Sequence, residues 1–200
     1  MSLKNIKHRI TSSIAHWQSR VSGYYPVFPV FKKEVLIKEI SKFLSVSQDE
    51  IENYWTSYIS MIPDYSTRYG GNWELKHLTT EEAFIIFCLL KKSSPKTIIE
   101  IGPQYGMSTR RIIDIKKYLN LQIPVHTFDI ENQVRYFSID EAELHIKDLT
   151  DCFKTEILNR FPGGLIYLDA HPFQLLNNVL TELLEDGRWI VAIHDCGNGL

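Results

Sequence analysis

Residues Thr97 to Ile112 read TIIEIGPQYGMSTRRI. A short β-branched run ends in an acid and a glycine, and a second glycine opens a stretch with helical character. This pattern predicts a buried strand, a tight turn and a helix. In parallel α/β sheets, ligands bind beyond the carboxyl ends of the strands, so the same turn marks the expected binding site.

Two glycine-rich turns that bind phosphate groups can be tested against this stretch. A P-loop requires a Lys-Ser/Thr pair after its last glycine, whereas Gly106 is followed by Met107 and Ser108. A dinucleotide turn requires G-x-G-x-x-G, and the required positions after Gly102 hold Gln104 and Met107. The sequence therefore matches neither kind of phosphate-binding turn.

Strand-like and helix-like segments alternate from Lys96 onward. The strand-like segments are TIIEI, VHTFDI, ELHIK, GLIYLD and WIVAIHD, and the helix-like ones are MSTRRIIDIKKYL, DCFKTEILNRF and LLNNVLTELLED. This alternation predicts an α/β fold with a doubly wound, Rossmann-like, mostly parallel sheet. We predict two parts, an N-terminal helical extension or lid over residues 1–92 and the Rossmann-like domain over residues 93–200.

The first part has mostly helical period, with two irregular breaks. Its first segment is basic and amphipathic, with apolar residues three or four apart at Ile6, Ile10, Ile14 and Trp17. Such a helix can lie on a membrane surface, but packing against other helices or a dimer contact is the favoured interpretation.

Two capping-box patterns predict later helix starts, because Ser47 and Thr79 each precede a glutamate by three residues. The aromatic and glycine-rich stretch 63–77 lies before the second of these. It is equally well interpreted as a packed surface loop or as a lid over a ligand, with Tyr69 and Trp73 supplying flat apolar faces.

The overall composition is that of a soluble domain of ordinary size, with 200 residues, 44% hydrophobic residues and a formal charge of −2. This charge gives no general attraction to nucleic acid. Three scattered cysteines indicate free thiols in a reducing compartment. With neither a secretory signal nor an apolar run long enough for a membrane span, we expect a cytoplasmic protein.

What remains of the opening stretch is E-I-G-x-x-x-G-x-S-T, with acids at the ends of later strands. This pattern resembles motif I of the class I S-adenosylmethionine-dependent methyltransferases, particularly the small-molecule O-methyltransferase branch, over about residues 80–198. The resemblance implies that S-adenosylmethionine is the cofactor. It assigns cofactor contacts to Glu100, Gly102, Gly106, Ser108, Thr109, Asp129 and Asp148.

The resemblance also implies a role for each part of this set. The glycines would let the backbone approach the ligand, and Glu100 would face its ammonium group or the amides of the turn. Asp129 would accept both ribose hydroxyls, with Glu131 as the neighbour that could replace it. Asp148 would meet the adenine amino group or, equally, cap the following helix. The family often has glycine where Gln104 stands here, so this turn is expected to be less tight.

The predicted reacting centre lies at the ends of strands four and five, where two Asp and two His should share one edge. The candidate catalytic residues are Asp169, His171, His194 and Asp195, with either histidine as general base and Asp195 as its partner. Mg²⁺ held by Asp169 and Asp195 is an alternative way to activate a hydroxyl. The next residue, Cys196, is a poor ligand for such a hard cation.

We therefore expect a methyltransferase that acts on a hydroxyl of a small molecule or sugar. The alternative is a non-catalytic Rossmann-like module that binds a nucleoside or a protein partner. The family's complete fold has two further strands after the fifth. We therefore expect either a longer natural protein or a homo-oligomer that covers the apolar edge of WIVAI.

Overall fold

The structure is a computed structural model that describes residues 32–69, 78–170 and 172–194. Residues Lys32–His194 form one compact unit. The described α-helices are α1 (Lys33–Leu44), α2 (Gln48–Met61), α3 (Tyr65–Tyr69), α4 (Thr80–Ser93), α5 (Met107–Tyr118) and α6 (Phe173–Glu185). The described strands are β1 (Ile98–Ile101), β2 (Val125–Asp129), β3 (Glu143–Ile146), β4 (Gly164–Leu168) and β5 (Trp189–Ile193).

All five strands belong to one parallel sheet with the order β3-β2-β1-β4-β5. The chain builds outward from β1 in one direction and from β4 in the other, so strand order reverses between these two central strands. This order confirms the predicted doubly wound α/β fold, and the reversal point is where such sheets bind ligands. Among the described residues, β3 and β5 are the edge strands.

Alternate residues of the strands face two separate cores, as the period of two requires. The first face, represented by Ile98 and Leu165, packs in one cluster with residues of α1, α2, α4 and α5. The second face, represented by Ile99 and Ile166, packs against α6 and the segment around Phe153. Because the helices before residue 92 share a core with the sheet, the predicted boundary at 92–93 does not separate two cores.

One predicted helix is different in the structure. Residues 151–161 were expected to form an α-helix, but they form a turn and a short π-helix, Lys154–Leu158. The carbonyl of Leu158 accepts a hydrogen bond from Arg188 Nη2 at 2.8 Å, and Arg188 Nη1 lies 3.4 Å from the carbonyl of Phe161. These contacts come from a residue distant in sequence, so a periodicity argument could not include them.

The two capping predictions have different outcomes. At α4, Thr79 and Glu82 form a full capping box, each side chain accepting a hydrogen bond from the other's backbone N–H. At α2, Ser47 accepts from the Glu50 N–H, but the Glu50 carboxylate accepts the Tyr54 hydroxyl instead of reaching back. The start of α2 is therefore capped by the Ser47 side chain alone.

Several predictions concern residues outside the described ranges. They are the amphipathic segment with Ile6, Ile10, Ile14 and Trp17, and the positions Trp73, His171, Asp195 and Cys196. Within the described ranges, no helix combines the length and the apolar character that crossing a bilayer would require.

Candidate active site

The turn after β1 has left-handed backbone geometry at three positions. Gly102 has φ +87°, Gln104 has φ +48° and Gly106 has φ +84°. The N–H of Gly106 donates to the carbonyl of Pro103 at 2.7 Å, which closes the turn just before α5 begins. Because this region of φ favours glycine, the two glycines are explained by the backbone, and Gln104 takes the less usual conformation.

The two glycines also have close neighbours within the protein. A Cβ at Gly102 would lie 3.0 Å from both the carbonyl oxygen of Asp169 and the N–H nitrogen of Ala170. A Cβ at Gly106 would lie 2.6 Å from the ring of Phe137. Both positions are therefore kept free of a side chain by neighbouring parts of the protein.

Glu100 is fully buried and points from β1 toward the start of α5. Its two carboxylate oxygens accept hydrogen bonds from the hydroxyls of Ser108 and Thr109, each at 2.5 Å. Burial raises the pKa of Glu100 to about 7, against the effect of these hydrogen bonds, and the charges of Asp169 and Asp129 add to the rise. The three side chains thus form a buried polar unit that joins strand and helix beneath the turn.

Asp129 holds the tip of β2 to the turn. Its Oδ2 accepts the Gln104 N–H at 2.9 Å, and its Oδ1 accepts the Ile130 N–H at 2.7 Å. Glu131 is exposed nearby, with one oxygen 2.6 Å from Nε2 of Gln133. Two acids therefore stand beside the turn, and the one predicted to bind ribose is also a structural tether.

Asp148 follows β3 and is exposed. Its Oδ1 accepts the Thr150 N–H at 2.9 Å, and this backbone hydrogen bond is the main cause of its lowered pKa. The contact belongs to the local turn and does not cap a helix, because the next helical segment, Lys154–Leu158, has Phe153 as its N-cap and no side-chain cap.

A histidine and two carboxylates meet at the ends of β4, β5 and α4. His194 follows β5, and its Nδ1 lies 3.1 Å from Oε1 of Glu82 at the start of α4. The Nε2 atom of the same ring lies 3.8 Å from Oδ1 of Asp169, which follows β4. The structure therefore brings together two of the predicted catalytic residues, and it adds Glu82, which the sequence indicated only as a capping residue.

Glu82 is held in place from two sides. Its Oε2 accepts the Thr79 N–H at 2.8 Å, which leaves Oε1 for His194. Burial works to raise the pKa of Glu82, but the hydrogen bond and charge of His194 and the bonds from Thr79 outweigh it and lower the pKa. An ionised carboxylate next to Nδ1 favours the tautomer that carries its proton there and leaves Nε2 as the basic atom.

A second polar network fastens the β2–β3 connection to α5. Arg110 is buried, and it contacts Asp114 on its own helix at 2.8 Å and both oxygens of Glu141 at 2.8 Å. Lys117 also reaches Glu141, at 2.7 Å. Burial tends to raise the pKa of Glu141, but the bonds from Lys117 and Arg110 lower it to about 2.

The predicted magnesium ligands are only partly within the described residues, because Asp169 is described and Asp195 is not. Asp169 supplies one of the two carboxylates of this predicted set. The remaining predicted catalytic residue, His171, also lies outside the described ranges.

Comparisons with known proteins give structural likeness only. No protein-family model matches the sequence, and no curated protein matches it significantly. Similar solved structures include the Mg-SAM form of cmcI, with 16% identity, 65% of each chain covered and a TM-score of 0.45. A cmcI structure with SAH has 21% identity and a TM-score of 0.40, covering 55% of this chain and 58% of that one.

The SAH-bound methyltransferase PaMTH1 of Podospora anserina has 14% identity and a TM-score of 0.41, covering 82% of this chain and 70% of that one. The present chain thus spans 65% and 58% of the two cmcI chains. Because all these identities and TM-scores are low, these likenesses establish no function for this chain.

Proposed function

We propose that this chain is an S-adenosylmethionine-dependent methyltransferase that methylates a hydroxyl of a small molecule or sugar. The observation that carries the proposal is the set Glu82, His194 and Asp169 at the carboxyl ends of β4 and β5, next to the point where strand order reverses. There it lies beside the motif I-like turn, since Gly102 packs directly on the backbone of Asp169 and Ala170. The sequence of this turn resembles motif I and matches neither the P-loop nor the dinucleotide pattern. It therefore supports a nucleoside cofactor without a phosphate chain.

The described residues fit this cofactor in a specific way. Asp129 and Glu131 offer carboxylates at the β2 tip for ribose hydroxyls, and Asp148 stands beyond β3 for the base. Glu100, Ser108 and Thr109 already bond to one another, so their proposed role is to support the turn rather than to contact the ligand. When bound, S-adenosylmethionine supplies an activated methyl group, which leaves the protein to position the acceptor and remove its proton.

His194 is the proposed general base. Nε2 would take the proton of the acceptor O–H as the acceptor oxygen takes the methyl group that bound S-adenosylmethionine would supply. The demethylated cofactor would leave as a neutral thioether, and the imidazolium would then release its proton to water. Glu82 is a positioning residue, because it orients the ring and stabilises its charged form from the Nδ1 side.

The first test is binding of S-adenosylhomocysteine and S-adenosylmethionine to the full chain by calorimetry. Asp129→Asn should weaken binding of both, because it removes a carboxylate from the β2 tip and loosens the Gln104 contact. Glu81→Gln, on the same helix turn as Glu82, is the matched control and should bind normally. Failure of the wild-type chain to bind either compound would reject the proposal.

The second test is methyl transfer to a panel of phenols, sugars and other hydroxyl compounds. His194→Gln should lower turnover by about 10²- to 10⁴-fold while leaving cofactor affinity unchanged. Glu82→Gln should lower turnover less and shift its pH profile, because the imidazole loses its charged partner.

Glu82 has two roles, since it caps α4 together with Thr79 and also orients His194. Thr79→Ala separates them, because it weakens the cap of α4 and leaves the contact with His194 in place. Its cost should appear as about 1 kcal/mol of stability and not as lost turnover. Binding without turnover on every acceptor would favour the non-catalytic alternative.

A further inference from the structure

A group of potential metal ligands lies outside the proposed active site, on β2 and β3. His126, Glu143 and His145 each offer one ligand atom, and these atoms all lie within 4.8 Å of one another. In the sheet register, His126 pairs with Glu143 and Phe128 pairs with His145. Because paired residues and those two apart share a face, all three side chains project from the second face of the sheet.

The distances between the ligand atoms suit one small cation. Nδ1 of His126 lies 3.3 Å from Nε2 of His145 and 3.1 Å from Oε2 of Glu143, and Nε2 of His145 lies 3.5 Å from Oε1 of Glu143. Two nitrogens bound to one tetrahedral zinc ion lie about 3.3 Å apart, given zinc–nitrogen bonds of about 2.0–2.1 Å. In an octahedral or square-planar site, adjacent ligands with the same bond lengths would be only about 2.9 Å apart. The 3.3 Å between the two histidine nitrogens therefore fits tetrahedral coordination better.

The surroundings hold the two histidine rings in place. The ring of His145 stacks on that of Phe128, with 4.4 Å between the ring centroids, and the ring centroids of His126 and Phe161 lie 4.6 Å apart. The histidine side chains are 14% and 16% exposed, whereas Glu143 is 56% exposed. Two ordered nitrogen ligands thus face a carboxylate on the solvent side, where a water molecule can complete the coordination.

Protonation does not block this use of the rings. Burial lowers the pKa of both His126 and His145, against the attraction of Glu143, so the imidazoles favour the neutral form that binds metals.

We propose that His126, Glu143 and His145 form a zinc site that clips edge strand β3 to β2. The imidazole nitrogens and the carboxylate oxygen are the donors that Zn²⁺ uses in proteins, with water as the fourth ligand. His126 lies three residues before the β2 tip, so the site is about 10 Å along the strand from Asp129. It is therefore separate from the proposed methyl-transfer centre, and it does not depend on that function.

The pairing of β3 with β2 has little other support in the topology. The connection from β2 to β3 has no helix, although parallel strands are usually joined by one. β3 has only four residues and, within the described part of the chain, pairs with one strand only. A metal bound by side chains of both strands would resist separation at this edge.

The test is Zn²⁺ binding to the full chain, freed of metal by a chelator and then titrated by calorimetry. We expect one zinc ion per chain and a melting temperature that rises with zinc. Co²⁺ in place of zinc should give the intense visible bands of four-coordinate cobalt.

Glu143→Gln and His145→Asn should each weaken zinc binding by about 100-fold or more, since loss of an outer-shell partner alone costs 10–100-fold. Glu143 is exposed, so its variant should fold normally, and far-UV circular dichroism checks this for both. The matched controls are Glu52→Gln, an exposed acid on α2, and His194→Asn, a histidine at the other edge strand; both should bind zinc like the wild type.

Two results would overturn the zinc site. One is a wild-type chain that binds no stoichiometric zinc, and the other is wild-type affinity retained in the Glu143 and His145 variants. Binding of S-adenosylhomocysteine, measured on the same samples, reports separately on the methyl-transfer proposal.

Discussion

Replacing Glu100 with Gln tests the electrostatics beneath the turn. Glutamine has nearly the same shape, and it can still accept one hydroxyl hydrogen bond and donate to the other oxygen of the Ser108–Thr109 pair. It cannot ionise. In the wild-type protein, burial raises the pKa of Glu100 from 4.5 to about 7, so the folded chain holds a proton that the unfolded chain releases.

The sign and size of the effect follow from this difference. Because the folded pKa is the higher one, the stabilising contribution is complete below pH 4.5 and is lost as the pH rises through 7. A rise from 4.5 to about 7 corresponds to about 3 kcal/mol at high pH, of which about 2.5 kcal/mol falls between pH 5 and pH 8. The free energy of unfolding of the wild type should fall by that amount relative to Glu100→Gln.

Urea unfolding followed by circular dichroism, repeated across this pH range, measures the difference. Folding lowers the pKa values of His126 and His145. Their contribution to the free energy of unfolding is therefore lost as the pH falls, which is the opposite sign to that of Glu100. They are common to both proteins and cancel in the difference, and Glu52→Gln controls for removal of an acid. Parallel pH profiles for wild type and Glu100→Gln would refute the reasoning.

Other substitutions test the packing around the turn. Arg110→Met leaves two carboxylates without their buried partner and should cost about 3–5 kcal/mol in urea unfolding; a cost below about 1 kcal/mol would contradict the network. Glu141→Gln should remove a stabilisation that the wild type loses as the pH falls from 4.5 toward 2, measured by acid unfolding. Gly102→Ala and Gly106→Ala should each destabilise by about 1–2 kcal/mol through backbone strain, and in a double-mutant cycle Phe137→Ala should relieve part of the second cost but none of the first.

Most of the fold follows from local signals in the sequence. Apolar runs near a glycine or proline mark β1, β2, β4 and β5, and the alternation of strands with helical segments indicates the parallel sheet. Thr79 with Glu82 marks the start of α4 to the residue. The exception is residues 151–161, where Arg188, some thirty residues away, donates to the carbonyls of Leu158 and Phe161, contacts that local periodicity does not contain.

The position of the candidate site follows from the sequence, but its contacts do not. Parallel topology places Asp129, Asp169 and His194 at the same end of the sheet, because Asp129 ends β2 and the other two directly follow β4 and β5. Contacts between distant segments require the register and the packing, which no local pattern contains. Glu82 and His194 are 112 residues apart. His126 and His145 face the same side only because β2 and β3 pair as they do, although the i, i+2 spacing of Glu143 and His145 was a visible signal.

The Glu82 contact also changes how the helices before residue 92 should be understood. One carboxylate oxygen accepts the backbone N–H at the start of α4, and the other meets the imidazole at the end of β5. The orientation of His194 therefore depends on the position of α4, and α4 is fixed by packing its buried face on the sheet. Without α4, His194 would lose its contact with Glu82, and with it the geometry proposed for the general base. For this reason we regard α4 as part of the site rather than as an extension beside it.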